Sequence, residues 1–260
     1  DTLKDTLIMS LELIDNLKII DVNSLDLNFI NRNNIKNEIY LKKNKDIYDI
    51  SGNSFDASKL INIILNNDDE DSESMFSNLN SDFNIKIDKT YLDKVEFVEN
   101  LTGKIFFKDN KIQKLNLKSF FPNNKRLTLS IDTNDNNEKI TTVFSDYPKP
   151  LVKQYKFIKG FEEGVLDFYS IKKNDVSNSL LNIENFKLQE IPILAKLLTL
   201  ASLQGISDLL TGEGVRFTDF EMKFSNQKQL MTIEEIYAIG PAISILMDGY
   251  IESKKLISLR

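Results

Sequence analysis

Alternation of apolar and polar residues with a period of two runs through most of this 260-residue chain. Successive side chains of a β-strand point to opposite faces, so an alternating run buries one face and leaves the other in water. From residue 82 the clearest runs are 83–88, 104–108, 114–118, 126–131 and 139–144. Turn residues separate these runs at the spacing expected of antiparallel strands. The pattern predicts a mainly β fold, an elongated and twisted antiparallel sheet with one apolar and one polar face.

The N-terminal part of the chain repeats this alternation before a turn and a short helix. Residues 7–13 carry leucine or methionine at every odd position, and residues 25–29 continue the pattern. A further run, 47–50, enters a turn, after which Asp56 can cap the first turn of a helix. We therefore predict two or three strands before residue 50 and a short helix at 56–65.

An acidic segment follows this helix. Residues 66–74 are polar and mostly acidic, which predicts a linker loop spanning 66–81. The carboxylates between residues 68 and 73 could alternatively gather a calcium ion, but the run lacks the glycine and the final glutamate of a calcium-binding loop. The linker divides the chain into the end of an upstream β-rich segment, 1–65, and a β domain, 82–260. One elongated domain that includes both segments is the alternative.

An apolar helix is predicted at 191–210. Pro192 suits the first turn of a helix, where its missing N–H leaves no hydrogen bond unmade. Leu194, Leu197 and Leu198 then fall on one face at helical spacing. This stripe predicts a helix that packs on an apolar surface and plugs one end of the sheet. A helix lying in a membrane interface is the alternative.

Two glycines, Gly212 and Gly214, follow this helix and permit the positive φ of a C-terminal cap and a tight exit into the next strand. The helix carries Lys196 and Asp208, which makes it a poor membrane span, because spans need about 20 mostly apolar residues. One lysine and one aspartate also bind anionic membranes poorly, which favours the packed helix over the interfacial one.

Three further alternating runs follow at 215–224, 230–239 and 243–251. The phase of the first run slips at Thr218-Asp219, which predicts a β-bulge. Gly240-Pro241 separates the last two runs, and the proline is expected at a strand start, an edge or a bulge because it lacks an N–H. The glycine has either a positive φ or ordinary β geometry, and both alternatives stay open.

The composition argues against several kinds of active site. Cysteine, histidine and tryptophan are absent, which removes thiol catalysis, histidine-activated nucleophiles and zinc sites built on those side chains. The net charge is −6 and no basic cluster falls on one predicted face, so no nucleic-acid partner is expected. Glu162-Glu163 and Glu234-Glu235 could supply an acid and a base, but neighbours in a strand point to opposite faces. We therefore expect a protein that is not an enzyme and needs neither cofactor nor metal.

Five short segments resemble a known family. In chain order they are 185–188, 191–198, 212–217, 239–242 and 248–251. Together they resemble the C-terminal region of the AsmA-like proteins, the bacterial envelope group that includes AsmA, TamB and YhdP. The likeness covers about a quarter of the chain in register, and a weaker likeness extends back to about residue 47. The motif residues within it are Pro192, Leu194, Leu197, Leu198, Gly212, Gly214, Gly240, Pro241 and Gly249.

The resemblance implies a long β-sheet curled into a half-pipe with an apolar inner face. It also implies a protein of the bacterial cell envelope that lies in the periplasm and is anchored in the inner membrane. Such a protein conducts phospholipids between the inner and outer membranes and supports outer-membrane biogenesis. Its partners would be phospholipid acyl chains, the two membranes and other envelope proteins. The chain begins with Asp1 and ends within an alternating run, so we expect a fragment that lacks the anchor.

The apolar faces of the predicted strands are the candidate lipid groove. Its candidate lining residues are Phe83, Ile85, Ile87, Leu115, Leu117, Leu127, Leu129, Phe217, Met222, Phe224, Ile243, Ile245 and Met247. An ordinary core, buried against a second layer, explains the same alternation. A structural protein that docks an envelope partner through a sheet edge, without carrying lipid, is the second functional hypothesis.

Overall fold

A computed structural model shows that the chain is mainly β, with few helical residues. The residues that it describes are 5–13, 19–59, 80–109, 111–153, 160–189, 214–228, 230–241, 243–252 and 256–260. They belong to two compact units, Asp1–Asp132 and Thr133–Arg260. The prediction of a mainly β, antiparallel fold is confirmed, with one parallel strand pair as the exception.

Several predicted features lie outside the described residues. They are the helix at 191–210 with its motif residues, Gly212, residues 60–65 of the first predicted helix, and residues 66–79 of the acidic linker. At the start of the first helix, Ser58 and Lys59 are helical. The Asp56 carboxylate accepts the backbone N–H of Ser58 at 3.0 Å, as predicted for a capping residue.

The first unit contains eight strands whose spatial order follows the chain. They are β1 (Thr6–Leu13), β2 (Ile19–Ile30), β3 (Lys36–Asn44), β4 (Ile47–Asp56), β5 (Ser81–Tyr91), β6 (Phe97–Lys108), β7 (Lys111–Phe120) and β8 (Arg126–Thr133). All neighbouring pairs are antiparallel except β4 and β5, which pair in parallel. A parallel pair needs a long connection, and residues 57–80 are enough for one.

The second unit repeats this arrangement without a parallel pair. Its elements are β9 (Lys139–Ser145), α1 (Lys149–Val152), β10 (Phe161–Lys173), β11 (Val176–Leu188), β12 (Val215–Gln227), β13 (Leu230–Ile239), β14 (Ser244–Glu252) and β15 (Leu256–Leu259). Each strand pairs antiparallel with the next. The four-residue helix α1 contacts β10, where Lys149 Nζ lies 2.6 Å from a carboxylate oxygen of Glu162.

The strand ladder is interrupted at Thr218, where the sequence predicts a phase slip. Phe217 pairs with Phe186 and Asp219 pairs with Glu184, so the register passes over Thr218 and Asn185 together. The predicted β-bulge is wrong, because one residue is skipped on both strands and the register is the same on either side, whereas a β-bulge adds its extra residue to one strand. We call this feature a paired break. The register shift in β12 lies further along, between Lys223 and Phe224.

Each unit has a line of paired breaks across three adjacent strands. In the second unit the skipped residues are Gly164, Asn185 and Thr218. In the first unit they are Asn53, Asp88 and Asn100. Three of the six have φ values in the left-handed region: Asn100 at 54°, Gly164 at 88° and Asn185 at 53°. Asparagine and glycine tolerate this conformation, which explains their presence in strand interiors.

The Gly240-Pro241 step forms the turn between β13 and β14. Pro241 is exposed and lies in this turn, outside both strands. Gly240 does not have a positive φ, so that alternative is wrong. It is instead held close to a neighbouring chain segment, since an added Cβ would lie 2.3 Å from the Arg216 carbonyl oxygen. The absence of a side chain, rather than an unusual backbone angle, is what this position requires.

We predict that Gly240→Val destabilises the fold by about 1–3 kcal/mol, the usual cost of forcing extra atoms into a packed site. Urea unfolding followed by circular dichroism measures the change. Pro241→Ala is the matched control, because its exposed side chain should alter stability by no more than about 0.5 kcal/mol. Equal stability of the Gly240→Val variant and the parent chain would contradict the close approach.

Two buried hydroxyl sites differ in their hydrogen bonding. The Thr90 side chain on β5 is 3% exposed, and its Oγ1 has no hydrogen-bond partner among the described residues. On β10 and β11, by contrast, Ser179 Oγ donates to Ser170 Oγ at 2.9 Å, and both residues are buried. A buried hydroxyl without a partner costs free energy that a methyl group of the same shape does not.

We therefore predict that Thr90→Val leaves the free energy of unfolding unchanged or raises it. Ser179→Ala removes one partner of a satisfied pair and should lower that free energy by about 1 kcal/mol. Thermal or urea unfolding of both variants gives the comparison. A loss of more than about 1 kcal/mol in Thr90→Val would show that its hydroxyl is hydrogen-bonded after all.

Candidate functional site

The strands of the first unit bring the predicted groove residues onto one face. Residues directly opposite each other in adjacent strands share a face, so the register defines rows that cross the strands. The central row, here called the middle row, consists of Leu25, Leu41, Ile50, Ile85, Gly103, Leu117 and Leu129. A second row runs beside it through Tyr48, Phe83, Ile105, Leu115 and Ile131. A third row on the other side includes Leu27, Ile39, Gly52, Ile87 and Leu101.

All seven candidate lining residues of this unit therefore lie on the same face. Six of them belong to the three rows, and Leu127 lies two residues from Leu129 on β8, opposite Ser119. The neighbouring residues Lys86 and Lys118 point to the other face, as the alternation predicts, and both are exposed.

Solvent exposure differs between the rows. Every residue of the middle row is half-buried, from Leu25 on β2 to Leu129 on β8. The flanking rows contain fully buried side chains, such as Leu115 at 3% and Ile87 at 5% exposure. The middle row is thus an accessible apolar strip between two rows that are more tightly packed.

The length of the middle row can be estimated from strand spacing. Seven strands at about 4.8 Å apart give a strip of roughly 29 Å. The hydrocarbon core of a bilayer is about 30 Å thick, so one leaflet, and hence one lipid chain, accounts for about 15 Å. The strip is therefore long enough for about two acyl chains end to end.

Gly103 lies between Ile85 and Leu117 in the middle row, where the absence of a side chain leaves room for Leu117. A Cβ added at Gly103 would lie 2.8 Å from a methyl carbon of Leu117 and 2.0 Å from the Asn116 carbonyl oxygen. The side chain of Leu117 thus occupies the space that a larger residue at Gly103 would need. Leu117 is therefore packed against Gly103, next to the β8 end of the strip.

The extended backbone contacts between described elements are those between neighbouring strands and the contact of α1 with β10.

The second unit has a comparable apolar face that is packed more tightly. This face has two rows. The first row consists of Val143, Phe168, Leu181, Met222, Ile236 and Met247. The second row consists of Ser145, Leu166, Ile183, Phe220, Ala238 and Ile245. Most residues of the second of these rows are fully buried. Met222, Ile245 and Met247 from the candidate list are half-buried members of the two rows.

The other candidate residues of this unit have different surroundings. Phe224 and Ile243 are half-buried, Phe224 opposite Ser179 and Ile243 immediately before β14. Phe217 is 2% exposed and stacks on Phe186, with 5.2 Å between the ring centroids. Phe217 therefore belongs to a packed aromatic cluster and does not line an open surface.

Three of the four paired carboxylates considered from the sequence, Glu162, Glu163 and Glu235, form ion pairs. Glu163 lies 3.1 Å from both Lys187 and Arg216, and hydrogen bonds from these two side chains lower the pKa of its carboxyl. Glu235 lies 3.3 Å from Lys223. These contacts hold the carboxylates in ion pairs at the strand surface.

Within the described ranges, no group of three or more acidic side chains gathers as a metal site would require. In the same residues, no helix has the length and apolar character needed to cross a bilayer.

The sequence interpretation missed a polar cluster on the apolar face. Lys43 on β3 lies opposite Tyr48 on β4 and forms an ion pair with Asp21 on β2. The Asp21 carboxylate also accepts hydrogen bonds from the Tyr48 hydroxyl and from the Val22 N–H, the latter at 2.7 Å. Lys43 follows Leu41 at an apolar position of the alternation, and this charged exception is the signal that could have revealed the cluster.

Comparisons with known proteins leave the chain without an identified relative. No family model matches it, and neither a curated protein nor a solved structure is significantly similar to it. The resemblance to the AsmA-like proteins therefore rests on the sequence segments described above.

Substitutions of Leu115 and Leu117 test whether the middle row is open to solvent or part of a closed core. Both are leucines on the same face of β7, but Leu115 is fully buried and Leu117 is half-buried. Leu115→Asp places an unpaired charge in a packed site and should cost several kcal/mol, about 3–5. Leu117→Asp should cost at least ~2 kcal/mol less, because its carboxylate can keep water.

Urea unfolding of both variants measures the difference, with Lys118→Asp on the polar face as the surface control. Equal losses for the two leucine variants would show that the middle row is closed core.

Proposed function

We propose that the chain binds lipid acyl chains on its apolar faces, as a segment of an AsmA-like protein that carries phospholipids between the inner and outer membranes. The observation that supports this proposal best is the middle row, which is apolar, half-buried and uninterrupted across seven strands. A closed core is expected to bury its central residues most deeply, and here the central row is the more accessible one.

The energetics of acyl-chain burial favour this use of the strip. Each CH₂ group moved from water to an apolar surface gains about 0.8 kcal/mol. A chain of about 16 carbons would gain on the order of 10 kcal/mol before the cost of ordering it. A shallow strip that covers only part of the chain would therefore still hold it.

This function places the protein in the periplasm of a bacterial envelope, anchored to the inner membrane in its full-length form. The half-pipe shape and the support of outer-membrane biogenesis belong to the same proposal, because both come from the resemblance.

A second function is favoured by the exposed strand β1. Among the described strands, β1 pairs with β2 alone, and its side chains Leu7, Ile8 and Met9 are exposed on both faces. An apolar edge strand can pair with a further strand, including one from another protein. A structural protein that assists outer-membrane assembly through this edge, without carrying lipid, is therefore the alternative.

Photo-crosslinking separates the two functions. Benzoylphenylalanine is introduced at Ile85, Leu117 or Leu129 of the middle row, and the protein is irradiated with phosphatidylethanolamine and phosphatidylglycerol vesicles. We expect lipid adducts at these positions by mass spectrometry, because the row would contact acyl chains directly.

The matched controls are Lys86 and Lys118, which are sequence neighbours on the polar face. Lipid adducts confined to the middle row support the carrier function. Labelling that is equal on both faces, or absent from the middle row, leaves the structural function.

A further inference from the structure

The polar cluster of Asp21, Lys43 and Tyr48 lies at the margin of the proposed lipid strip. The Tyr48 ring stacks on Phe83, with 4.9 Å between the centroids and 15° between the planes. Tyr48 and Phe83 belong to the row that flanks the middle row. Lys43 lies opposite Tyr48 and two positions before the tip of the β3–β4 hairpin, where the face meets solvent. An amphiphile lying on the strip would bring its polar end to such a margin.

The hydrogen bonds within the cluster show which group can take a ligand. Burial raises the pKa of the Asp21 carboxyl, but the donors Lys43, Tyr48 and Val22 outweigh burial and lower the pKa overall. Burial and the bond to Asp21 raise the pKa of Tyr48 to about 12, so its hydroxyl remains a donor to that carboxylate. The Asp21 carboxylate therefore already accepts hydrogen bonds from three donors within the protein.

Lys43 has capacity left for a ligand. A lysine ammonium carries three N–H donors. Asp21 supplies the one hydrogen-bond acceptor found for it among the described residues, and 27% of the side chain is exposed. The ligand atom that suits these remaining donors is an anionic oxygen.

The surrounding charge limits the kind of anion. Hydrogen bonding to Asp21 raises the pKa of Lys43, and the nearby carboxylates of Glu12 and Asp46 raise it further. Glu12 lies opposite Asp21 in the β1–β2 register, and Asp46 lies beside Lys45 in the β3–β4 turn, so carboxylates outnumber ammonium groups around Lys43. A purely anionic headgroup would be repelled by this excess of negative charge, whereas a headgroup with its own ammonium beside a phosphate would be balanced.

We propose that Lys43 binds the phosphate of a zwitterionic, amine-bearing phospholipid whose acyl chains lie on the first unit's apolar rows. The lipid's ammonium then faces the acidic side of the cluster, towards Glu12 and Asp46. This inference rests on the proposed lipid-binding function and adds a headgroup preference to it.

Three short-chain lipids test the preference by isothermal titration below their micelle concentrations. Dioctanoyl phosphatidylethanolamine has both charges, dioctanoyl phosphatidylglycerol has the phosphate alone, and dioctanoylglycerol has neither. We expect the parent chain to bind the phosphatidylethanolamine most tightly. Lys43→Met should weaken that binding about tenfold, the effect of one charge-assisted hydrogen bond, and leave dioctanoylglycerol binding unchanged.

A second variant, Asp21→Asn, should shift the lipid preference in the opposite direction, towards the anionic lipid. Asp21→Asn keeps an acceptor for Tyr48 but removes one negative charge beside Lys43, so affinity for phosphatidylglycerol should rise relative to phosphatidylethanolamine. Lys114→Met is the control, because Lys114 is an exposed lysine of the same unit at a polar position of β7 and should affect none of the lipids. Thermal melts of all variants check that they are folded.

The outcomes separate this inference from the proposed function. Equal binding of all three lipids by the parent chain, or an equal loss for all three in Lys43→Met, would overturn the headgroup site and leave acyl-chain binding intact. If none of the three lipids binds to the parent chain, both proposals fail.

Discussion

The cross-strand register is the constraint on which the apolar faces depend. Alternation within one strand creates only a short apolar stripe, and the register joins the stripes of successive strands into rows. A slip of one residue in any strand would transfer its whole apolar set to the polar face. A slip of this kind in β7 would replace Leu117 in the middle row with Asn116 or Lys118. The continuity of the row therefore requires every strand pairing from β2 to β8 to be in place at once.

Between the strands that share them, paired breaks leave the register unchanged, because both strands skip one residue at the same level. At the outer strands of the first-unit line the register does shift, at Asn53 against β3 and at Asn100 against β7. In the second unit the change of phase at the paired break brings Phe217 and Phe220 onto one side, where both rings contact Phe186. In the first unit, Ile87 and Thr90 are both buried across the break. The same device in three adjacent strands of each unit indicates that the breaks are part of how these faces are shaped.

The sequence was sufficient to predict the faces because period-two alternation acts within each strand. The seven candidate residues of the first unit share one face for that reason. Other features depend on partners distant in the chain. The close approach of Gly240 involves Arg216, and the ion pair of Lys43 involves Asp21, which is 22 residues away. The parallel pairing of β4 and β5 depends on the path of a long connection, which alternation does not specify.

Exposure was the hardest property of the site to predict. Leu115 and Leu117 have the same side chain, strand and face, yet one is fully buried and the other half-buried. Alternation assigns a residue to a face, whereas burial depends on how neighbouring rows pack over it. The division of one face into tightly packed and accessible rows can therefore be read only from the structure.

The contrast between the rows also links stability to ligand binding. The tightly packed side chains of the flanking rows, such as Leu115 and Ile131, already contribute their burial to the folded state. The half-buried middle row retains apolar surface that an acyl chain could cover, and a ligand that binds only the folded state stabilises it by mass action. The flanking rows can thus maintain the fold while the middle row stays accessible. A strip built in this way could bind a ligand without depending on that ligand to fold.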